Sequence, residues 1–300
     1  MNLKRIVFTG GGTAGHVFPN IALINDLYTN GWTIHYIGTP VGAEHRIIEN
    51  WNIHHQYNIV FNTIQCGKYR RNLSIKNIKD IFAIRNGYHE SLSLLSNIQP
   101  TLLFSKGGYV SVPPSYAAHT LGIPVLTHES DLSTGLANKL INHIATRIYT
   151  SFPTDSKNEK YLYTGNPIRK ELLSGSRRRG LRFCNFHDKK PTILIMGGSQ
   201  GSIFINDLIS KAIPYLMCQY QLIHLTGPNN YFHVDDKSYK GIEFAEDELK
   251  DLYACADIII SRAGANSIFE QIHLHKPMLL IPLPKKYSRG EQIKNATYFE

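Results

Sequence analysis

The sequence predicts an α/β protein of two domains, each a mostly parallel sheet covered by helices. Two observations carry this. Apolar runs of strand length alternate with loops and helical apolar patterns along the whole chain, as parallel sheets require. The succession of apolar strand, glycine-rich turn and helix that opens at Arg5 also begins again at Thr192. Two such domains facing each other would place two glycine loops across one cleft.

In chain order, Arg5 to Thr9 read as a strand, Gly10, Gly11, Gly12 and Gly15 as a tight turn, and Pro19 onward as a helix through Ile21, Leu23, Ile24 and Leu27. Thr33 to Ile37 form a second strand, Glu44 to Glu49 start a helix, and 53–64 mixes loop and strand. Residues 68–85 are basic and amphipathic, with Leu73, Ile75, Ile78, Ile81 and Phe82 among Lys68, Arg70, Arg71, Lys76, Lys79 and Arg85. Strand Thr101 to Phe104 leads into a second glycine turn, SKGGYVSVPP, whose Pro113 and Pro114 suit the first turn of the following helix. Strand Val125 to Thr127, the turn HESD, the helical GLANKLINHIA, strand Arg147 to Thr150 and the turn YTGNPIR close the first half. Residues 174–190, with Arg177, Arg178, Arg179 and Arg182, read as an exposed connection and not a core element. The second half runs from strand Thr192 to Met196 through the turn GGSQGS to helix Ile203 to Leu216. Strand Leu222 to Thr226, the helix EDELKDLYACA, strand Ile258 to Ile260 and the strand in KPMLLIPLP follow.

Three hundred residues that are 42% hydrophobic and 18% charged make a core-forming chain. Four cysteines, Cys66, Cys184, Cys218 and Cys255, lack metal spacing and fit a reducing compartment. No signal peptide and no membrane-spanning run is expected. The net charge of +9 implies anionic partners. The arginine run lacks interleaved aromatics and any recognition motif, so no nucleic acid is expected.

The glycine loops suggest the chemistry. A strand–glycine–helix turn brings backbone N–H groups close to a bound diphosphate at the positive end of a helix. The spacing is neither the dinucleotide fingerprint nor a P-loop. His16 sits where the first loop becomes a helix, within reach of whatever the loop holds. In the second half, Gly197, Gly198, Ser199 and Gly201 offer a second diphosphate seat and Arg169 a guanidinium fork for the same charge. Glu270, on the helix after the Gly264 to Asn266 turn, could accept hydrogen bonds from a sugar diol. No acidic pair is spaced to hold a metal between phosphates, so backbone dipoles and arginine would stabilise a departing diphosphate.

GGTAGH at Gly11 to His16, GGYVSVP, HESD, GNPIR, GGSQG, SRAGANSIFE and RGEQIKNA, in this order, resemble the MurG family of peptidoglycan glycosyltransferases over essentially the whole chain. The resemblance implies two Rossmann-like domains facing across a cleft, the GT-B fold. It also implies inverting transfer of N-acetylglucosamine from UDP-N-acetylglucosamine to the C4 hydroxyl of lipid I, giving lipid II, without metal or cofactor, at the cytoplasmic face of the bacterial membrane. Residues 1–162 would form the acceptor and membrane-associated domain, and 163–300 the UDP-sugar domain, incomplete at its end because family members continue further. His16 matches the general base. Donor contacts would come from Thr13, Ala14, Gly15, Arg169, Gly198, Ser199, Gln200, Gly201, Ala245, Gly264, Ala265, Asn266, Glu270 and Gln292. Acceptor contacts would come from Gly12, Gly15, His16, Gly107, Gly108, Tyr109, Glu129 and Asp131. An anionic membrane surface would meet Lys68, Arg70, Arg71, Leu73 and Ile75. Ala14 stands where many members have Gly, HESD replaces the commoner HEQN, and Thr134 replaces a frequent proline. Another GT-B nucleotide-sugar enzyme, or a non-catalytic relative that binds membrane or a partner, are the alternatives.

Overall fold

The computed structural model describes residues 4–67, 75–230 and 234–300, the side chains of 75–79 excepted. It divides into two compact units, Met1–Pro167 and Ile168–Glu300.

In the first unit, β1 (Arg5–Thr9), β2 (Thr33–Gly38), β3 (Val60–Thr63), β4 (Leu102–Ser105), β5 (Val125–Glu129), β6 (Arg147–Thr150) and β7 (Tyr161–Tyr163) alternate with α1 (Phe18–Thr29), α2 (Ala43–His55), α3 (Ile75–Ile98), α4 (Val112–Thr120) and α5 (Leu136–Ile144). The strands pair in parallel in the order β3-β2-β1-β4-β5-β6-β7. Alternation along β1 decides which core each residue joins. Ile6 and Phe8 pack with Ile21, Ile24, Ile34 and Ile48 on one face, while Val7 packs with Ile37, Leu95, Leu103, Ala117 and Ile141 on the other. Two readings need correction. The stretch 53–64 is less irregular than expected, because α2 continues to His55 before β3 begins. The short β7 adds a strand that its exposed Leu162 and Tyr163 concealed.

The second unit holds α6 (Arg177–Cys184), β8 (Thr192–Met196), α7 (Ile203–Leu216), β9 (Gln221–Leu225), β10 (Tyr239–Ile242), α8 (Leu249–Cys255), β11 (Ile258–Ser261), α9 (Ala265–His273), β12 (Met278–Leu280) and α10 (Glu291–Tyr298). Its parallel sheet runs β10-β9-β8-β11-β12. The connecting stretch 174–190 is also corrected. Leu181 and Cys184 of α6 are buried in the core with Leu194, Ile223, Leu252 and Ile259. The arginines misled because they are neutralised locally. Arg177 bonds Asp188 at 2.7 Å and Asp257 at 3.0 Å, and Arg179 bonds Asp251 at 2.8 Å.

Both sheets reverse strand order beside the first strand of their unit, between β1 and β4 and between β8 and β11. At such a reversal the loops leaving the two strands diverge to opposite faces and open a crevice at their carboxyl ends.

Candidate active site

In the first unit the loops after β1 and β4 meet at this crevice. Residues Ala14–His16 form a single 3₁₀ turn before α1. The Thr13 hydroxyl lies 3.0 Å from His16 Nδ1, fixing the imidazole from one side. Gly108, at φ +82°, lies so close that a Cβ there would stand 2.2 Å from the Gly11 carbonyl oxygen and 3.2 Å from His16 Nδ1. The Tyr109 ring covers Gly12, with Cε1 2.7 Å from where a Cβ would be. Gly12, Gly15, His16, Gly107, Gly108 and Tyr109 are thus brought together.

The first loop is not the bare N–H cradle expected. Glu44, fully buried at the start of α2, lies beneath it and accepts the Gly12 N–H at 3.1 Å through Oε2. Its Oε1 takes the Thr39 N–H and hydroxyl at 3.0 and 2.6 Å. The His16 and Val17 N–H groups close the 3₁₀ turn onto Thr13 and Ala14. Buried Asn20 and Tyr36 hold the loop's start, the Tyr36 hydroxyl donating to the Gly10 carbonyl at 2.6 Å. Burial pushes the Tyr36 phenol far up.

Glu129 supports its own turn from within. Its carboxylate accepts from the Asp131 and Gly135 N–H groups at 3.1 and 2.9 Å and from Asn138 Nδ2 at 2.9 Å, organising the turn into α5. Asp131 is partly exposed on that turn. Lys68, Arg70, Arg71 and Leu73 lie outside the described residues, and Ile75 begins α3 with its side chain outside them.

In the second unit the loop after β8 exposes Gly198, Ser199 and Gln200, with Gly198 at φ +94° and Gly201 at +72°. Ser202 caps α7 by accepting the Ile205 N–H at 3.2 Å, and Arg262, after β11, donates to the same hydroxyl at 2.5 Å. Gly264 is the N-cap of α9, so Ala265 and Asn266 belong to its first turn. Arg169 and Glu270 are not two independent arms. They pair at 3.1 Å with only 14% and 13% exposure, and the Tyr253 hydroxyl donates to the other Glu270 oxygen at 3.1 Å. Gln292 spends its side-chain oxygen on the Leu283 N–H at 3.0 Å. The Ala245 side chain is packed in the core with Leu252 and Tyr253, which leaves its backbone as the part that can meet a donor.

Sequence models of the glycosyltransferase family 28 N-terminal and C-terminal domains match residues 6–150 and 192–300. The chain is 45% identical over 303 residues to a Bacillus cereus protein named UDP-N-acetylglucosamine--N-acetylmuramyl-(pentapeptide) pyrophosphoryl-undecaprenol N-acetylglucosamine transferase 2, covering 99% of this chain and 84% of that one. The chain belongs to glycosyltransferase family 28, in its MurG branch. A Clostridium botulinum member carrying the same transferase name is 44% identical over 99% of this chain and 84% of its own length. The crystal structure of Acinetobacter baumannii MurG matches with a TM-score of 0.72 at 26% identity, covering 98% of this chain and 83% of that one. The MurG branch thus shares the architecture of both units, and the GT-B expectation holds.

Proposed function

We propose that this chain transfers N-acetylglucosamine from UDP-N-acetylglucosamine to the C4 hydroxyl of the muramyl sugar of lipid I, giving lipid II. The observation that carries this is the 45% identity over 99% of the chain to a transferase so named. The division of labour follows the crevices. The first unit takes the acceptor, with its diphosphate at Gly12, Gly15 and Gly107 to Tyr109. The second takes the donor, with diphosphate at Gly198 to Gly201 and the first turn of α9, and ribose hydroxyls at Glu270. Gln292 reads the donor sugar, and Thr13 to Gly15 complete the donor contacts.

With Nδ1 engaged by Thr13, His16 Nε2 is the atom that takes the acceptor's proton. The C4 oxygen attacks the anomeric carbon opposite UDP, the C–O bond to UDP breaks, and its electrons leave with the diphosphate. An imidazole suits this because its ordinary pKa lies near neutrality. Arg169 and the N-terminus of α7 stabilise the departing charge more in the transition state than in the substrate.

The enzyme meets its lipid acceptor at the cytoplasmic face of the membrane, as a peripheral protein. Supporting this are the net charge of +9 and the exposed Ile81 and Phe82 of α3, 59% and 60% accessible, beside the basic segment. Among the described residues no helix is long and apolar enough to cross a membrane. The test is transfer of labelled N-acetylglucosamine to a lipid I analogue, with and without EDTA. Labelled lipid II product supports the reading, and its absence while UDP-N-acetylglucosamine still binds would refute it.

A further inference from the structure

Lys106, the residue before the Gly107–Gly108 turn, is 2% exposed, and among the described residues its ammonium group makes no ion pair with a carboxylate. It points into a pocket of three side chains drawn from two separate segments, HESD and the GNP turn. Nζ donates to His128 Nδ1 at 2.5 Å, to Ser130 Oγ, and to Asn166 Oδ1 at 3.4 Å.

The partners' hydrogen bonds fix which form of the lysine fits. His128 Nε2 donates to the Gly165 carbonyl at 2.9 Å, so its Nδ1 accepts. Ser130 Oγ gives its proton to Asn166 Oδ1 at 3.1 Å, so it too accepts from lysine. Asn166 Oδ1 accepts in any case, and takes a further bond from Ser151 at 3.2 Å. Three acceptors match the three N–H groups of an ammonium, whereas a neutral amine has two and turns its lone pair toward the third acceptor, lone pair against lone pair.

The other end of Lys106 belongs to the site. Its backbone N–H donates to the Thr9 carbonyl at 2.9 Å, and its Cβ lies 3.0 Å from where a Cβ on Gly10 would be. One residue therefore joins the first glycine loop, the second glycine loop, the HESD turn and the GNP turn.

We propose that Lys106 is a positioning residue whose ammonium form clamps the Gly165–Asn166 turn and Ser130 to the base of the two glycine loops of the first unit, so that acceptor binding depends on its proton. The acceptor part rests on the function proposed above. The titratable groups facing Lys106 among the described residues are His128 and Glu129 on β5 and Asp131 on the turn after it. The first glycine loop and the GNP turn present Gly10, Gly165 and Asn166, which do not titrate. Burial draws the lysine down to about 7, against the pull of Glu129 and then Asp131. His128 is held neutral by its own burial and then by the Lys106 charge.

The clamp titrates in the range where transfer is assayed. With only the ammonium form competent, the apparent acceptor KM rises roughly twentyfold from pH 6.5 to 8.5, while the KM for UDP-N-acetylglucosamine stays within about twofold. A base such as His16 would limit the acid side instead, so the two are separable. In the unliganded chain, NMR should show the amides of Gly107, Gly108, Gly165 and Asn166 titrating together with a midpoint near neutrality. Lys106→Met should abolish that titration and leave the acceptor KM high at every pH. Asn166→Asp, which sets a carboxylate beside the lysine, should move the midpoint up by about one unit. A flat acceptor KM, or amides that titrate alike in wild type and Lys106→Met, or an unmoved midpoint in Asn166→Asp would overturn the clamp. Absence of transfer at every pH would count against the proposed function alone, since the amide titration still decides whether the clamp exists.

Discussion

Glu44→Gln is the sharpest probe of how the first loop is held, because it changes one atom in a buried site. The two carboxylate oxygens have different tasks. Oε1 takes both Thr39 donors and Oε2 takes the Gly12 N–H. A glutamine keeps one acceptor oxygen, and the two donors on the Thr39 side will hold it there. Its NH₂ then faces the Gly12 N–H, donor against donor. The loss is one hydrogen bond to a charged acceptor plus the repulsion that replaces it, about 2–3 kcal/mol, and it falls almost wholly on the turn that carries His16. Since each 1.4 kcal/mol is a factor of ten, exchange of the Gly12 amide should accelerate by roughly thirty- to a hundredfold. The acceptor kcat/KM should fall by about tenfold or more as the turn samples other conformations. Glu44→Ala should be worse, since it orphans all three donors at a site where Gly11 and Gly42 lie against the acid. A cost of about 4–6 kcal/mol is expected there. Hydrogen exchange read by NMR, together with acceptor kinetics, checks both variants. If Gly12 exchanges no faster in Glu44→Gln and kcat/KM is unchanged, the carboxylate does not hold the loop and the argument fails.

Other predictions follow from the same geometry. His16→Ala should lower turnover at least tenfold while calorimetric binding of UDP-N-acetylglucosamine stays within about twofold; unchanged turnover would remove the base role. Glu270→Gln breaks a nearly buried pair with Arg169 and should weaken UDP binding by about tenfold or more, with Tyr253→Phe milder because it removes a single bond to the same carboxylate. Equal UDP affinity in wild type and Glu270→Gln would refute this. His224 is fully buried, its Nδ1 3.0 Å from the Tyr239 hydroxyl and its Nε2 3.0 Å from Asn206 Oδ1. Burial depresses it from 6.5 to about 4. The unfolded chain therefore binds the proton first, so the stability associated with neutral His224 is intact above pH 6.5 and is lost as pH falls toward 4. The total is about 3 kcal/mol. Urea denaturation followed by a probe in the second unit should show that acid-side loss in wild type and not in His224→Gln, and an identical loss in both would assign it elsewhere.

What the sequence discloses and what it hides divide along a physical line. The strands are legible because β1, β8 and β11 are nearly unbroken apolar runs that stop at a glycine or a polar turn, and no long-range information is needed to see that. The motif residues are legible for a similar reason, since His16, Gly108 and Ser199 lie within a few positions of the glycines that mark them. The hidden residues are polar ones whose burial depends on distant partners. Glu44 reads as an ordinary helix-start acid until Gly12, 32 positions upstream, is laid over it. Arg169 and Glu270 are each visible in a motif, but their pairing spans 101 positions and turns two separate contacts into one. Lys106 reads as a surface lysine because lysine is rarely buried, and its acceptors are supplied by segments 22 to 60 positions further on.

The same reasoning changes what the glycines mean. A glycine-rich loop invites the inference that backbone must approach a phosphate. At Gly11, however, φ is not positive and the obstacle is internal: a Cβ would lie 2.6 Å from the Glu44 carboxyl carbon. At Gly108 both reasons coincide, since φ is +82° and a Cβ would strike the Gly11 carbonyl. Part of the motif is therefore a packing requirement between two loops and the acid beneath them. Gly11→Ala should act like a change at Glu44, displacing the carboxylate and freeing the Gly12 amide, and not like the removal of a ligand contact. Accelerated Gly12 exchange in the unliganded chain separates the two, because a residue that serves only the ligand would leave that amide unchanged until the ligand is added.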